Sequence, residues 1–346
     1  MNISRLLSVA PMMERTDRHC RYFFRLLSQQ TLLYSEMINA NAITKGNKTR
    51  LLNFSEIEHP LALQIGGSDP KLLAEATKIG VDWGYDEINL NVGCPSSRVS
   101  SGDFGAVLMK RKDHVAKCVD AMAQFSSNVP ISVKCRIAVD DQDPEKILPS
   151  FIKTVSNSGV SIFIIHARKA ILSGLSPKDN RKIPPIDYNL VKKIKAQFPQ
   201  LEICLNGEIK DLSSVMNFIN DGINGCMIGR EVYKNPSKIL ENADEKIFKK
   251  MDLFRKSKKR TLYEALLKMI PYLEIHLQKG GKASSVLRHL INSVSGLEGA
   301  KLFRSTLSEN MNKKNQPEIF EKALKLVNFT DKKTDVEGTQ FESGLV

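Results

Sequence analysis

Cysteine is sparse and dispersed in these 346 residues. The six thiols, Cys20, Cys94, Cys118, Cys135, Cys204 and Cys226, form no Cys-x-x-Cys pair and no Cys/His cluster. That excludes a structural zinc site and a disulfide framework, no metal is expected, and the thiols suit a reducing, cytoplasmic compartment. No apolar run approaches the roughly 18 residues of a membrane span. The first residues carry Arg5 and then Leu6-Leu7-Ser8-Val9-Ala10-Pro11, too short and too soon broken for a secretory signal, so none is expected. Acidic side chains are also few, 38 against 51 Lys and Arg, which leaves a net charge of +13. An enzyme of small anionic metabolites rarely needs such a surplus, whereas a nucleic-acid partner uses it directly; a solvated basic surface is the plainer alternative.

Hydrophobic residues make up an ordinary 42%. Up to about residue 235, short apolar runs alternate with amphipathic helical patterns. The runs fall at 6–10, 32–35, 61–65, 87–91, 131–135, 162–166, 203–206 and 226–228. Eight such strands with helical connections predict an α/β fold, a (β/α)8 TIM barrel. One helix is explicit: Asp69-Pro70 caps and starts it, Leu72, Leu73, Ala76 and Ile79 give it a buried face, and Gly80 ends it. A doubly wound open sheet would usually place Gly-x-Gly-x-x-Gly after its first strand, but Pro11-Met12-Met13 stands there.

Nearly every run ends in a polar or conformationally special residue. In chain order these are Pro11-Met12, Glu36, Gln64, Asn91 with Cys94, Lys134 with Arg136, His166-Ala167-Arg168, Asn206-Gly207-Glu208 and Gly229-Arg230. A parallel barrel gathers all these ends at one mouth, where the polar groups must find partners. Cys94 stands out. Gly93 before it and Pro95 after it stop the strand in a rigid turn and present the thiol at a strand's carboxyl end. Gly207 and Gly229 follow strands seven and eight, where barrels commonly bind phosphate, and Arg230 adds a full charge. A long excursion with three prolines, 170–185, joins strands six and seven, and ordered loops of that length are usually functional.

Beyond about residue 236 the period is helical. Leu262, Ala265, Leu266, Met269, Ile270, Leu273 and Leu277 form one stripe, with Pro271 a site for a kink, and Val286, Leu287, Leu290, Ile291 and Val294 form another. Basic side chains outnumber acidic ones roughly two to one here, in groups such as Lys249-Lys250, Arg255-Lys256, Lys258-Lys259-Arg260 and Lys313-Lys314. The expected organisation is a catalytic barrel over 1–235, a basic helical bundle over 236–327 and a flexible tail over 328–346.

Several motifs together resemble the tRNA-dihydrouridine synthases, most closely their A-type subfamily. They are Ser8-Val9-Ala10-Pro11-Met12, Thr16-Asp17-Arg18-His19-Cys20-Arg21, Gln64-Ile65-Gly66-Gly67-Ser68-Asp69-Pro70 and the stretch from Tyr85 to Ser96, which includes Asn91-Val92-Gly93-Cys94-Pro95-Ser96. Phe163-Ile164-Ile165-His166-Ala167-Arg168-Lys169-Ala170 and Leu172-Ser173-Gly174-Leu175-Ser176-Pro177-Lys178 continue the match. The resemblance implies reduction of D-loop uridines at tRNA positions 20 and 20a, with FMN as cofactor and NADPH as reductant, by a monomer. It implies that Pro11, Met12 and Met13 line the flavin ring and that Gln64 and Lys134 bond its polar edge. His166 and Asn206 lie nearby, and Gly207, Glu208, Gly229 and Arg230 hold the phosphate. Cys94 becomes the proton donor and Asn91 meets the base. Arg181, Pro184, Lys301 and Arg304 become tRNA contacts.

Four departures accompany the match. Glu208 stands where the A-type pattern has Gly, so its carboxylate is expected to turn away from the phosphate. Arg15 replaces an aromatic residue, Ala138 replaces Gly, and Ser284-Ser285 replaces a Gly-His pair. Two other functions share parts of this pattern. An FMN-dependent reductase of a small pyrimidine or enone would need no basic helical domain, and a non-catalytic RNA-binding barrel would carry no flavin.

Overall fold

Each apolar run becomes a parallel strand, and the strands close on themselves in chain order. The computed structural model describes residues 3–96, 102–248, 260–311 and 316–329. The strands are β1 (Leu7–Val9), β2 (Leu32–Asn39), β3 (Leu61–Gly66), β4 (Glu87–Val92), β5 (Ile131–Arg136), β6 (Ile162–His166), β7 (Glu202–Asn206) and β8 (Gly225–Ile228). They form one closed (β/α)8 barrel in which β8 pairs back onto β1. Gly225 makes that closure possible, because a Cβ there would sit 1.9 Å from the Arg5 carbonyl oxygen.

Ala10, Leu32, Tyr34, Ala62, Ile162, Ile164, Cys204 and Met227 pack as an interior cluster. Burying each large apolar side chain contributes about 1.5–3 kcal/mol. The other side of the interior is polar. Register sets Gln64 beside Asn89, Asn89 beside Ser132 and Asn91 beside Lys134. At the rim, Arg136, His166, Asn206 and Met227 are successive neighbours across β5 to β8.

Two local expectations need correction. β2 does not stop at residue 35. Its pairing with β3 shifts register between Tyr34 and Met37 and continues to Asn39, whose side chain caps the next helix by accepting from the Asn41 amide at 2.9 Å. A bulge of this kind re-aims side chains without ending the strand. Gly80 does not end the helix Pro70–Asp82; it lies inside it, buried, where a Cβ would meet Leu63 Cδ2 at 2.7 Å and Ile88 Cδ1 at 2.8 Å. Close helix–sheet packing is its reason, and the left-handed position after the helix is Gly84, at φ +99°. Leu73 and Ala76 are buried as expected, while Leu72 and Ile79 are only half-buried.

Two compact units divide the chain, residues 1–265 and 266–346. Residues 236–248 belong to the first. There the Asp244 carboxylate accepts from Ser28 Oγ at 2.5 Å and from the Gln29 and Gln30 amides at 2.7 and 3.2 Å, closing the end of the helix Arg18–Leu27. The helix Leu262–Gln278 runs through Pro271 unbroken. The second unit adds the helices Ala283–Leu290, Ala300–Asn310 and Gln316–Leu324, with Phe303 edge-on to Phe320 at 6.3 Å. Val286, Leu287, Leu290 and Val294 are fully buried there, and Ile291 partly. The basic groups at 249–259 and Lys313-Lys314, Arg98, and the tail from 330 lie outside the described residues.

The Asp69 cap accepts from the Lys71 and Leu72 amides at 2.8 and 3.3 Å. Asp69→Ala removes both bonds and lowers unfolding free energy by about 1 kcal/mol, read from the urea midpoint at constant m-value.

Candidate active site

At the carboxyl ends of the strands lies a cavity of about 760 Å3. Fourteen sequence-singled residues meet there: Pro11, Met12, Met13, Gln64, Asn91, Cys94, Lys134, His166, Arg181, Asn206, Gly207, Glu208, Gly229 and Arg230. Pro184 does not; it is buried, and its carbonyl accepts a hydrogen bond from Arg168. Lys301 and Arg304 lie on the helix Ala300–Asn310 of the second unit, the first exposed and the second half-exposed.

Cys94 is the one partly accessible thiol; the other five are buried and none is in a disulfide. Its turn is held from below. Asn91 Oδ1 accepts from the amides of Gly93 and Cys94, both at 3.0 Å, an Asx-type arrangement that ends the strand and points the backbone back over the barrel. Arg136 holds the turn from the side, donating Nε to the Gly93 carbonyl at 3.2 Å. The same guanidinium donates to the carbonyls of Lys169 and Asn180, each at 3.2 Å. Asn180, itself fully buried, accepts from the Ile171 amide at 2.7 Å and donates to its carbonyl at 2.8 Å. The long excursion that carries Arg181 is therefore an ordered loop pinned to the site.

One wall is apolar, formed by Ala10, Pro11, Met12, Met37 and Met227. Across it, Lys134 Nζ donates to Asn206 Oδ1 at 3.0 Å, and Asn206 Nδ2 donates to the Met227 carbonyl at 2.8 Å. At the ends of β7 and β8 the backbone turns tightly. Gly207 has φ +125°, and a Cβ there would strike His166 Cδ2 at 2.9 Å. Glu208 follows at φ +48°, a left-handed conformation that glycine adopts without cost. Its carboxylate is exposed, pointing outward, and pairs with the buried Arg168 guanidinium at 2.8 Å. Arg15 lies over the Tyr233 ring, 4.5 Å from its centroid. Ala138 is fully buried, its carbonyl accepting from the Ala170 amide at 2.9 Å, so a methyl group is accommodated at that position.

Among the described residues the lining carries eight basic side chains, Arg15, Lys134, Arg136, Arg181, Lys182, Lys210, Arg230 and Lys234, against the carboxylates of Glu208 and Glu231. This excess shifts its own members. Burial, then the charge of Arg136, lowers Lys134 to about 8. Burial and the surrounding Arg136, Lys134, Arg168 and Arg230 push His166 well below the ordinary imidazole value, so it is neutral at pH 7. A cavity with one apolar wall, a polar edge and a basic, glycine-turned end suits a flat ring system with an anionic tail.

Arg136 and Arg168 read in the sequence only as polar strand ends; their bracing role depends on loop carbonyls distant in the chain. Met37 was invisible because β2 was expected to stop before it. Lys210 and Lys234 carried no signal beyond their proximity to the two glycine turns.

Fold and site together define a (β/α)8-barrel enzyme. Its sequence matches the family model for dihydrouridine synthase over residues 8–330. It is 47% identical over 324 residues to a tRNA-dihydrouridine(20/20a) synthase of Synechocystis, covering 93% of this chain and 95% of that one. It is 49% identical over 322 residues to the tRNA-dihydrouridine(20/20a) synthase of Escherichia coli K12, covering 92% and 91%. Among solved structures, the old yellow enzyme homologue from Zymomonas mobilis aligns with a TM-score of 0.52 and 11% identity, covering 74% of this chain and 94% of that one, a likeness of fold. The chain belongs to the dihydrouridine synthase family. Dihydrouridine is uridine with its C5=C6 bond reduced, so the family's reaction is an oxidoreduction and this protein is an oxidoreductase. Among the described residues no acidic, histidine or cysteine cluster could hold a metal, and no helix is long and apolar enough to cross a membrane.

The depressed Lys134 value has a stability consequence. Between about 8 and the ordinary 10.5 the unfolded chain binds more protons than the folded one, so stability rises with pH through that window and the full penalty is present below it. Lys134→Met is expected to stabilise the ligand-free protein at pH 7 by about 1–3 kcal/mol. Thermal unfolding at pH 7 and pH 10.5 checks the gain and its disappearance.

Proposed function

We propose that this protein reduces D-loop uridines at positions 20 and 20a of tRNA, with FMN bound in the barrel mouth and NADPH as reductant. The observation that carries the reading is the convergence, in one cavity, of the Cys94 turn, an apolar wall and a basic glycine-turned end. Pro11, Met12 and Met13 would flank the isoalloxazine, and Gln64 and Lys134 would meet its polar edge, with Lys134 oriented by Asn206. Neutral His166 sits among cations where it can donate one hydrogen bond without adding charge. Backbone at Gly207, Glu208 and Gly229, with the Arg230 side chain, would hold the phosphate. The Glu208–Arg168 pair supports this, because it draws the carboxylate away from an incoming anion. FMN, when bound and reduced, supplies a hydride to C6 of uracil.

The remaining chemistry belongs to the chain. Hydride addition at C6 places negative charge on C5 and O4, and a proton must reach C5. Cys94 Sγ holds that proton at the cavity wall. Asn91 stands beside it, where the uracil edge would enter. The target nucleotide must leave its stack, at a cost of a few kcal/mol, and contacts to the tRNA backbone offset this. Arg181 on the pinned loop, and Lys301 and Arg304 in the helical unit, supply such contacts. Pro184 contributes by holding that loop through its carbonyl.

In flavin-loaded protein, Cys94→Ala is expected to lower the rate of uridine reduction in unmodified tRNA at least 100-fold while NADPH still bleaches the flavin. Undiminished turnover would rule out the acid role. Arg304→Glu is expected to weaken tRNA binding and flatten its salt dependence by about 1–2 in slope, with flavin content unchanged. Turnover of free uridine as fast as tRNA would favour a small-molecule reductase instead.

A further inference from the structure

Below the cavity floor an unbroken file of hydrogen bonds crosses the barrel interior. It starts at Glu87, the first residue of β4, which is fully buried. Arg5 Nε donates to Glu87 Oε2 at 2.6 Å, and Tyr34 OH and Ser132 Oγ both donate to Oε1 at 2.5 Å. Asn89 Nδ2 then donates to Ser132 Oγ at 2.7 Å. Gln64 Nε2 donates to Asn89 Oδ1 at 2.7 Å, and Asn91 Nδ2 donates to Gln64 Oε1 at 2.8 Å. The last acceptor, Asn91 Oδ1, takes the amides of Gly93 and Cys94.

We propose that Glu87 and Ser132 are positioning residues for Cys94: an acceptor-only carboxylate sets the sense of every hydrogen bond up to the turn that carries the thiol. The logic is one of donor count. An ionised carboxylate can only accept, so the single hydroxyl hydrogen of Ser132 is committed to it. Ser132 then offers Asn89 only a lone pair, and the Asn89 amide must turn its NH2 toward it. Asn89 therefore shows its oxygen to Gln64, which must answer with NH2. The Gln64 oxygen is left facing Asn91, which answers in turn with its own NH2. Only in that orientation does Asn91 present an oxygen to two backbone N–H groups. Reversing the file would put an amide NH2 against those N–H groups, donor against donor, and release the turn. Each Asn and Gln along the file could otherwise adopt either orientation. None of these side chains except Gln64 and Asn91 lines the cavity, so the effect on Cys94 is indirect.

This inference rests on the proposed role of Cys94, and its test separates the two. Because the other five thiols are buried, the rate at which iodoacetamide alkylates Cys94 in the folded holoenzyme, followed by mass spectrometry, reports the turn itself. Glu87→Gln lets the file reverse, because its amide can donate to Ser132. Ser132→Ala cuts the file and leaves the Arg5–Glu87–Tyr34 contacts in place. Both variants are expected to change the Cys94 alkylation rate at least threefold and lower kcat for tRNA at least tenfold, in protein that remains folded and flavin-loaded. Ser132→Thr, which keeps the hydroxyl, is expected to restore both rates. If Glu87→Gln fails to fold, Ser132→Ala decides. Folded, flavin-loaded Ser132→Ala with an unchanged Cys94 alkylation rate overturns the proposal, whatever its turnover. If Cys94→Ala still reduces tRNA normally, the acid role falls while the alkylation result still judges the file.

Discussion

Positive charge held out of water is the constraint on which the site depends. A closed parallel barrel sends every strand's carboxyl end to one mouth, and here those ends bring Lys134, Arg136, Arg168 and Arg230 together around His166. Desolvated cations gathered at one mouth repel one another, and among the described residues only the Glu208 carboxylate pairs directly with one of them, Arg168. The consequences are visible in neighbouring groups: Lys134 binds its proton less tightly, His166 stays neutral, and Arg136 spends its donors on three backbone carbonyls. An anionic group entering the cavity would relieve this repulsion.

The same arginines give the site its shape. Arg136 and Arg168 end adjacent parts of the barrel wall, and each reaches carbonyls in the long loop between β6 and β7. A loop of that length would ordinarily be free to move, but Asn180 closes it from within and the two guanidiniums fasten it from without. Arg181 is thereby presented at the cavity without being packed into it. Charge concentration and loop order are thus one arrangement: most of the carbonyls that the two buried guanidiniums reach are those of the loop.

Much of this was legible in one dimension. Strand ends that carry Gln, Asn, Cys, Lys, His and Arg are costly as packing, and their convergence followed once the strands were counted. Cys94 was legible because Gly93 and Pro95 leave few alternatives to a turn. The outward turn of the Glu208 carboxylate is legible in the sequence, but its partner, Arg168, is not, because it comes from another strand end. Gly80 is a position where local signals mislead. A glycine near a helix end suggests a stop, and only the approach of Leu63 and Ile88 shows that it serves packing.

The sequence by itself determined the period of each element, the order of strands and helices, the excess of basic charge and the rigid turn at Cys94, because these depend on local sterics and on composition. The tertiary structure alone decided which polar groups became partners. Hydrogen-bond sense along Glu87, Ser132, Asn89, Gln64 and Asn91, the pairing of Glu208 with Arg168 and the seating of Pro184 beneath Arg168 all join residues far apart in the chain. Their geometry exists only once the barrel has closed, and desolvation then raises the cost of every donor or charge left without a partner.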